Sequence, residues 1–167
     1  MNSQATLTSD PSRRTATGPT IRVVAFPLHT LNLALRVESV ERVLNNVPIY
    51  SSGLNSFGIT HVGDREITVL DLQNQLFRTK TLLPRQGNDA PISPYLVVIQ
   101  NSAGEAYGIP INAPPALTEI PANAIRILTS SYRRSDTLGI ASHVAQVKGD
   151  TAPKTIFLLD VDRVIPA

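Results

Sequence analysis

Three histidines, His29, His61 and His143, are the side chains in this chain best suited to proton transfer or metal ligation. They stand apart, with no H-x-H or H-E-x-x-H pair to chelate an ion, and a histidine outside any motif is a poor pointer to a site. Ser142 and His143 are neighbours, but G-x-S-x-G is absent. Adjacent strand residues are expected on opposite faces, so the two do not read as nucleophile and base. Asp160 and Asp162 stand two apart, and Asp71 occupies a position equivalent to Asp160. A general acid and base need opposed environments in one cleft. Asp71 and Asp160 instead fall where a strand hands over to a helical pattern, and a carboxylate there can accept hydrogen bonds from the first free amides. Both are expected to be structural caps. With no G-x-x-x-x-G-K-[ST] loop and no G-x-G-x-x-G after a strand, nucleotide phosphates have no cradle. The residues therefore predict no catalytic, cofactor or metal site, and leave surface for macromolecular partners.

Composition narrows the class further. The 167 residues suit one ordinary domain or two small barrels that lean on each other. Hydrophobic content is 42% but aromatic content only 5%, so Val, Ile and Leu predominate, which favours aliphatic β-structure. Thirteen prolines and nine glycines argue against long helices. Fifteen basic and 13 acidic side chains leave a formal charge of +2. No basic stripe accompanies that small excess; the pairs Arg13-Arg14 and Arg133-Arg134 read as solvated loop charges, so no nucleic-acid partner is expected. The absence of cysteine excludes disulfides and thiolate metal sites and is compatible with a reducing compartment. No apolar run reaches bilayer length and the N-terminus lacks a signal-peptide core, so no membrane insertion and a cytoplasmic location are expected.

The elements are organised around Phe57 to Leu72, FGITHVGDREITVLDL. Two short alternating runs flank Gly63-Asp64, the turn residues a tight hairpin needs, and LQNQLF continues as a short helix. Ile59, Val62, Ile67, Val69 and Leu70 are expected to feed a core. Similar order returns near the C-terminus: GIASHV, a turn at Gly149-Asp150, then TIFLLDVDRVI. The runs from Val23 to Val37 and from Leu96 to Ile111 also match, each a strand, a polar turn and a second strand. Internal similarity of this kind implies two related halves of about 70 residues. Residues 1–20, rich in Ser, Thr, Pro and Arg, are expected to be a disordered tail. ESVERVLN fits a helix or a strand, NVPIYSSGLNS reads as a loop, and Thr79 to Pro94 reads as a crossover between halves.

Gly58 and Ile59, then Val69-Leu70-Asp71-Leu72, preceded by ALRVESVERVL and followed by a weaker copy ending LLDVDRVI, resemble the CheW family of chemotaxis coupling proteins. The resemblance runs from Ile21 to about Ile165. It implies an all-β fold of two SH3-like five-stranded barrels with short helices and a shared hydrophobic interface. The corresponding division is a subdomain at about 21–83, a crossover at 84–94 and a second subdomain at about 95–165. It further implies a non-catalytic adaptor that joins the regulatory domain of a CheA-like histidine kinase to the tip of a methyl-accepting chemoreceptor, in the cytoplasm and at receptor clusters. Other readings are a CheW-like module serving a different signalling protein and, from another class, a small ligand- or RNA-binding β-barrel.

Departures from the family pattern fall on its docking positions. Where members read G-V-x-N-L-R-G, this chain has Gly58, Ile59, Thr60, His61, Val62, Gly63 and Asp64, so Gly63 replaces the docking arginine. The family's V-x-E-[VIL] appears as Val40, Glu41, Arg42 and Val43, with Arg42 where glutamate is usual. The partner-binding residues implied by the resemblance are thus Val40, Arg42, Gly58, His61, Gly63 and Arg65, with Arg65 as the substitute for the missing charge.

Overall fold

The computed structural model describes residues 18–51, 57–79, 81, 83, 89–135 and 139–164. Strands β1 (Thr20–Leu28) and β2 (Leu31–Arg36) form a hairpin about His29 and Thr30. A 3-10 turn at Val37–Ser39 leads into β3 (Val40–Pro48), which passes through Ile49 into the short β4 (Tyr50–Ser51). β5 (Phe57–Val62) and β6 (Arg65–Leu70) form the organising hairpin, followed by α1 (Leu72–Phe77). The order then repeats as β7 (Ile92–Gln100), β8 (Ala106–Ile111) and β9 (Ala116–Pro121). A 3-10 turn at Ala122–Ala124, β10 (Ile125–Ile127) and α2 (Ser130–Ser135) come next. β11 (Ala141–Val147), β12 (Lys154–Leu159) and α3 (Val161–Val164) complete the repeat.

Two six-stranded sheets result, in the orders β10-β11-β12-β2-β1-β9 and β3-β7-β8-β6-β5-β4. The strands at the two ends of each sheet are neighbours in the chain. β3 and β4 are one segment bent at Ile49, and β9 and β10 are one segment bent through Ala122–Ala124. Counted by segment, each sheet has five strands, and the bent one meets both edges as the sheet curls closed. The chain is mainly β, in two barrel-like subdomains.

The first barrel takes β1 and β2 from the first half and β9 to β12 from the second; the second barrel takes β3 to β8. A division at 21–83 and 95–165 therefore does not separate the barrels. The order of elements repeats, but the hairpins are exchanged. β1 pairs with β9 across Val24↔Leu117, β7 pairs with β3 across Val97↔Val43, and each hairpin joins the far sheet through a parallel pair. Those parallel contacts are Leu158↔Ala34 in one barrel and Val69↔Gly108 in the other. A lone hairpin is marginal in water, and reciprocal exchange gives each one a sheet to join.

Burial follows this plan. One cluster fills the first barrel with Val23, Ala34, Ile120, Ala145, Ile156 and Leu158. Another fills the second with Val47, Ile49, Ile67, Val69, Leu96 and Val98. The largest cluster lies between the two, where Phe26, Leu33 and Leu35 meet Leu70, Leu72, Leu76, Ile99 and Ile109. Two contacts clasp the barrels at equivalent places. His29, at the β1–β2 turn, stacks on Phe77 of α1 with ring centroids 4.6 Å apart. At the β7–β8 turn the Ser102 amide and hydroxyl both donate to Asp162 Oδ1 in α3, at 3.0 and 2.7 Å. These bonds hold the Asp162 carboxyl below its ordinary range.

Several local expectations are revised. ESVERVLN takes the short turn and then strand that the CheW resemblance implies, whereas Asn46 to Pro48 of the expected loop belong to β3 and Tyr50 and Ser51 to β4, with residues 52–56 outside the described set. Asn46, with φ 52°, re-aims β3 so that Val47 turns into the core. In β5 the inward positions are Gly58 and Thr60, and Ile59 is only half-buried. Thr60 is fully buried because its hydroxyl donates to the Pro48 carbonyl at 2.7 Å, which removes the penalty for an unpaired polar group. The expected crossover at 84–94 overlaps β7 from Ile92, residues 84–88 of it lying outside the described set. Of the expected tail at 1–20, residues 1–17 also lie outside it, and Thr20 begins β1.

Candidate docking site on the second barrel

Asp71 precedes α1, and its Oδ1 accepts from Asn74 N at 3.0 Å while its Oδ2 accepts from Thr81 N at 3.1 Å. Asp160 precedes α3, accepts from Asp162 N at 3.0 Å and pairs with Arg163 Nε at 3.3 Å. Both carboxylates are thus occupied at helix starts, Asp71 directly after β6 and at the far end of the hairpin from its turn. Among the described residues, no cluster of three or more His, Asp or Glu side chains is placed to hold a metal.

The β5–β6 hairpin closes across Val62↔Arg65. Gly63 has φ +62° and Asp64 has no positive φ, the pattern of a type II′ turn with glycine first. An added Cβ at Gly63 would meet nothing within 4 Å, so backbone conformation, not space, is what favours glycine. Gly58 is the opposite case. A Cβ there would lie 2.7 Å from Ile49 Cγ2 and 3.1 Å from the Tyr50 carbonyl oxygen, so glycine lets β4 close on β5.

Two of the expected partner-binding residues, Arg42 and Arg65, gather around one carboxylate. Val40 and Arg42 take successive places opposite Ile99 and Val98, which leaves Glu41 as the extra residue of a β-bulge. Arg65 Nη1, on the hairpin, donates to Glu41 Oε1 at 3.0 Å, and Arg42 Nη2 lies 3.6 Å from the same oxygen. Both arginine side chains are 53% exposed and that of Glu41 is 22% exposed. Exposed pairs of this kind contribute at most about 1 kcal/mol to stability, so their weight lies in the surface they present. His61 stands on β5 beside the turn, opposite Glu66, with Nε2 and Oε2 3.8 Å apart. The structure thus brings Arg42 and Arg65 together through Glu41, with His61 on the same hairpin. It does not bring in Gly58, which is buried, or Val40, which packs on the inter-barrel core. Glu41 was legible in the sequence only as part of the V-x-E motif; its place in a bulge depends on pairing with β7.

Apolar surface lies close by. Val43 and Tyr50 on the bent strand of the second barrel are 38% and 50% exposed; Leu117 and Ile127 on the bent strand of the first are 59% and 74% exposed. Val43 and Leu117 occupy equivalent registers. A cleft of about 210 Å³ lies between the barrels, bordered by Leu28, His29, Gln73, Thr81 and Pro110.

The chain is similar in structure to the scaffolding protein TtCheW from Thermoanaerobacter tengcongensis. The match has a TM-score of 0.68 and 17% sequence identity and covers 89% of this chain and 90% of that one. The fold is that of CheW. No protein-family model matches the chain, and no curated protein matches it in sequence. That fold matches the two barrel-like subdomains of this chain. Among the described residues, no helix is long and apolar enough to cross a membrane.

Proposed function

We propose that this chain is a non-catalytic adaptor of chemotaxis-type signalling, which holds a CheA-type histidine kinase regulatory domain and a chemoreceptor tip together in the cytoplasm, at receptor clusters. The observation that carries the proposal is the end-to-end likeness to a CheW scaffolding protein, spanning about nine-tenths of both chains. The Glu41–Arg42–Arg65 group supports it by restoring a cation beside the hairpin that lost one at Gly63. Arg65 supplies the docking charge, and Arg42, where glutamate is usual, makes the surface more positive and selects a partner with a complementary acidic surface. Interfaces that lose or gain one charged contact change by a few kcal/mol, enough to alter partner choice.

Co-elution of the full chain with the regulatory domain of each CheA-like kinase from the same organism tests the proposal, with Arg65→Glu in parallel. Binding of one kinase domain, weakened at least tenfold by the reversal, is the expected result. Failure to bind any kinase domain or receptor tip overturns the adaptor reading. Binding that ignores the reversal removes Arg65 from the docking surface and leaves the adaptor reading standing.

A further inference from the structure

Equivalent positions in the two barrels can be compared residue by residue, and the pairs β5–β6 and β11–β12 differ by one inserted residue. In the second barrel Phe57↔Leu70 is followed directly by Gly58↔Val69. In the first barrel Ala141↔Leu159 is followed by His143↔Leu158, with Ser142 as an extra, bulged residue. The parallel contacts Val69↔Gly108 and Leu158↔Ala34 anchor the comparison, so His143 stands where the second barrel has Gly58. At Gly58 the barrel is shut by Ile49 and the Tyr50 backbone. At His143 β10 still pairs with β11 through Ile127↔His143, but a full side chain and an inserted residue take the place of the glycine, and a cavity of about 270 Å³ lies beside them. Bulges commonly re-aim side chains in this way beside binding sites. The expectation that Ser142 and His143 point apart is therefore wrong: the bulge turns both onto this cavity, with Ser142 Oγ 2.8 Å from His143 Nδ1.

The walls have two characters. Ile21, Ile125, Leu158 and Val161 form an apolar floor, while Ser142, His143, Ser39 and Arg36 supply polar groups at the rim. Asp160 also borders the cavity but is occupied by Arg163 Nε and the Asp162 amide. Among the described residues Arg36 meets one charge, Glu38 at 3.5 Å, and both side chains are more than 60% exposed, an arrangement of little energetic weight. Asp160 is engaged twice, and its ion pair is shorter and less exposed than that of Arg36, so the more available of the two charges is the cation, beside hydroxyl and imidazole groups and aliphatic side chains.

We propose that this cavity is a binding site for a small amphipathic carboxylate, its anionic end at Arg36 and Ser39 and its aliphatic end on Ile21, Ile125 and Leu158. The site is independent of the docking surface on the second barrel and does not rest on the adaptor reading. The volume matches about nine waters, the size of a short-chain acid.

Titration of the full ¹⁵N-labelled chain with hexanoate, with hexylamine as the control, tests the assignment. Saturable shifts confined to Ser39, Ile125, Ser142, His143 and Val161 are expected with hexanoate and not with hexylamine. Arg36→Gln should weaken hexanoate binding about fivefold. Deletion of Ser142, which restores the register of the second barrel, should abolish it. If that deletion prevents folding by circular dichroism, His143→Gly reports on the same wall. Equal response to hexylamine, shifts scattered over the surface, or an Arg36→Gln variant that binds like the parent would each overturn the proposal.

Discussion

Replacing Gly58 with alanine tests whether the second barrel depends on the close approach of β4 to β5. The new methyl would lie 2.7 Å from Ile49 Cγ2, inside the distance real Cβ atoms tolerate, and 3.1 Å from the Tyr50 carbonyl oxygen. Ile49 is 8% exposed and packed among Val47, Ile67 and Val69, so it has no free direction in which to move. Among the described residues β4 pairs with β5 at Tyr50↔Ile59 and Ser51↔Gly58, a short ladder, so relief is expected from lifting β4. Overpacking of this kind costs about 2 kcal/mol. For a chain of this length that lowers the midpoint of thermal unfolding by about 6 °C. Because the chain has no tryptophan, urea and heat unfolding are best followed by far-ultraviolet circular dichroism. Ile49→Ala alone should cost about 3 kcal/mol. Added to it, Gly58→Ala should cost less than about 1 kcal/mol, since the clashing methyl is gone; the coupling would then be at least about 1 kcal/mol. A neutral Gly58→Ala, or two costs that simply add, would refute the reasoning.

Further expectations follow from the same geometry. Gly63→Arg, which puts the usual family residue back, should destabilise the chain by about 1 kcal/mol in urea unfolding because φ +62° is a left-handed conformation; a neutral result would mean that the turn changes type. Asp162 has its carboxyl held low by Ser102, so its contribution is complete above the ordinary value of 3.8 and is lost as pH falls through the lower folded value. Asp162→Asn should accordingly flatten the acid limb of a stability–pH curve below about pH 4 while leaving its neutral region parallel. Residues 21–83 expressed alone should give the dispersion-poor amide spectrum of an unfolded chain, since β1 and β2 would lack β9 and β12; a dispersed spectrum would refute the exchange.

Local chemistry made much of this molecule readable. The Gly63 turn, the Asp71 cap, the two-residue turn at His29-Thr30 and the repeated order of elements all depend on residues close together in the chain, and each is where its residue types place it. What escaped depends on distant partners. Thr60 replaces Ile59 in the core because the Pro48 carbonyl waits there for a donor, which alternation of apolar residues does not report. Glu41 and Ser142 sit in bulges that exist only relative to β7 and β12. Similarity between halves indicated duplication but not which barrel each hairpin would enter, since a strand carries the same pattern whichever equivalent sheet it joins. At the proposed docking surface, Arg42 and Arg65 stood out by type and position, while their common carboxylate required three-dimensional proximity.

The exchanged hairpins also set a timetable for synthesis. A chain leaving the ribosome has every strand of the second barrel once Ile111 has emerged, yet the hairpin from Thr20 to Arg36, made first, has no complete sheet to join until Leu159 appears. Through that interval Phe26, Leu33 and Leu35 lack Leu128, Ile140, Phe157 and Leu159 of their eventual cluster, the condition under which nascent chains aggregate or recruit chaperones. A stop codon between the codons for β8 and β12 would therefore yield one finished barrel with an adhesive, orphaned hairpin at its amino end.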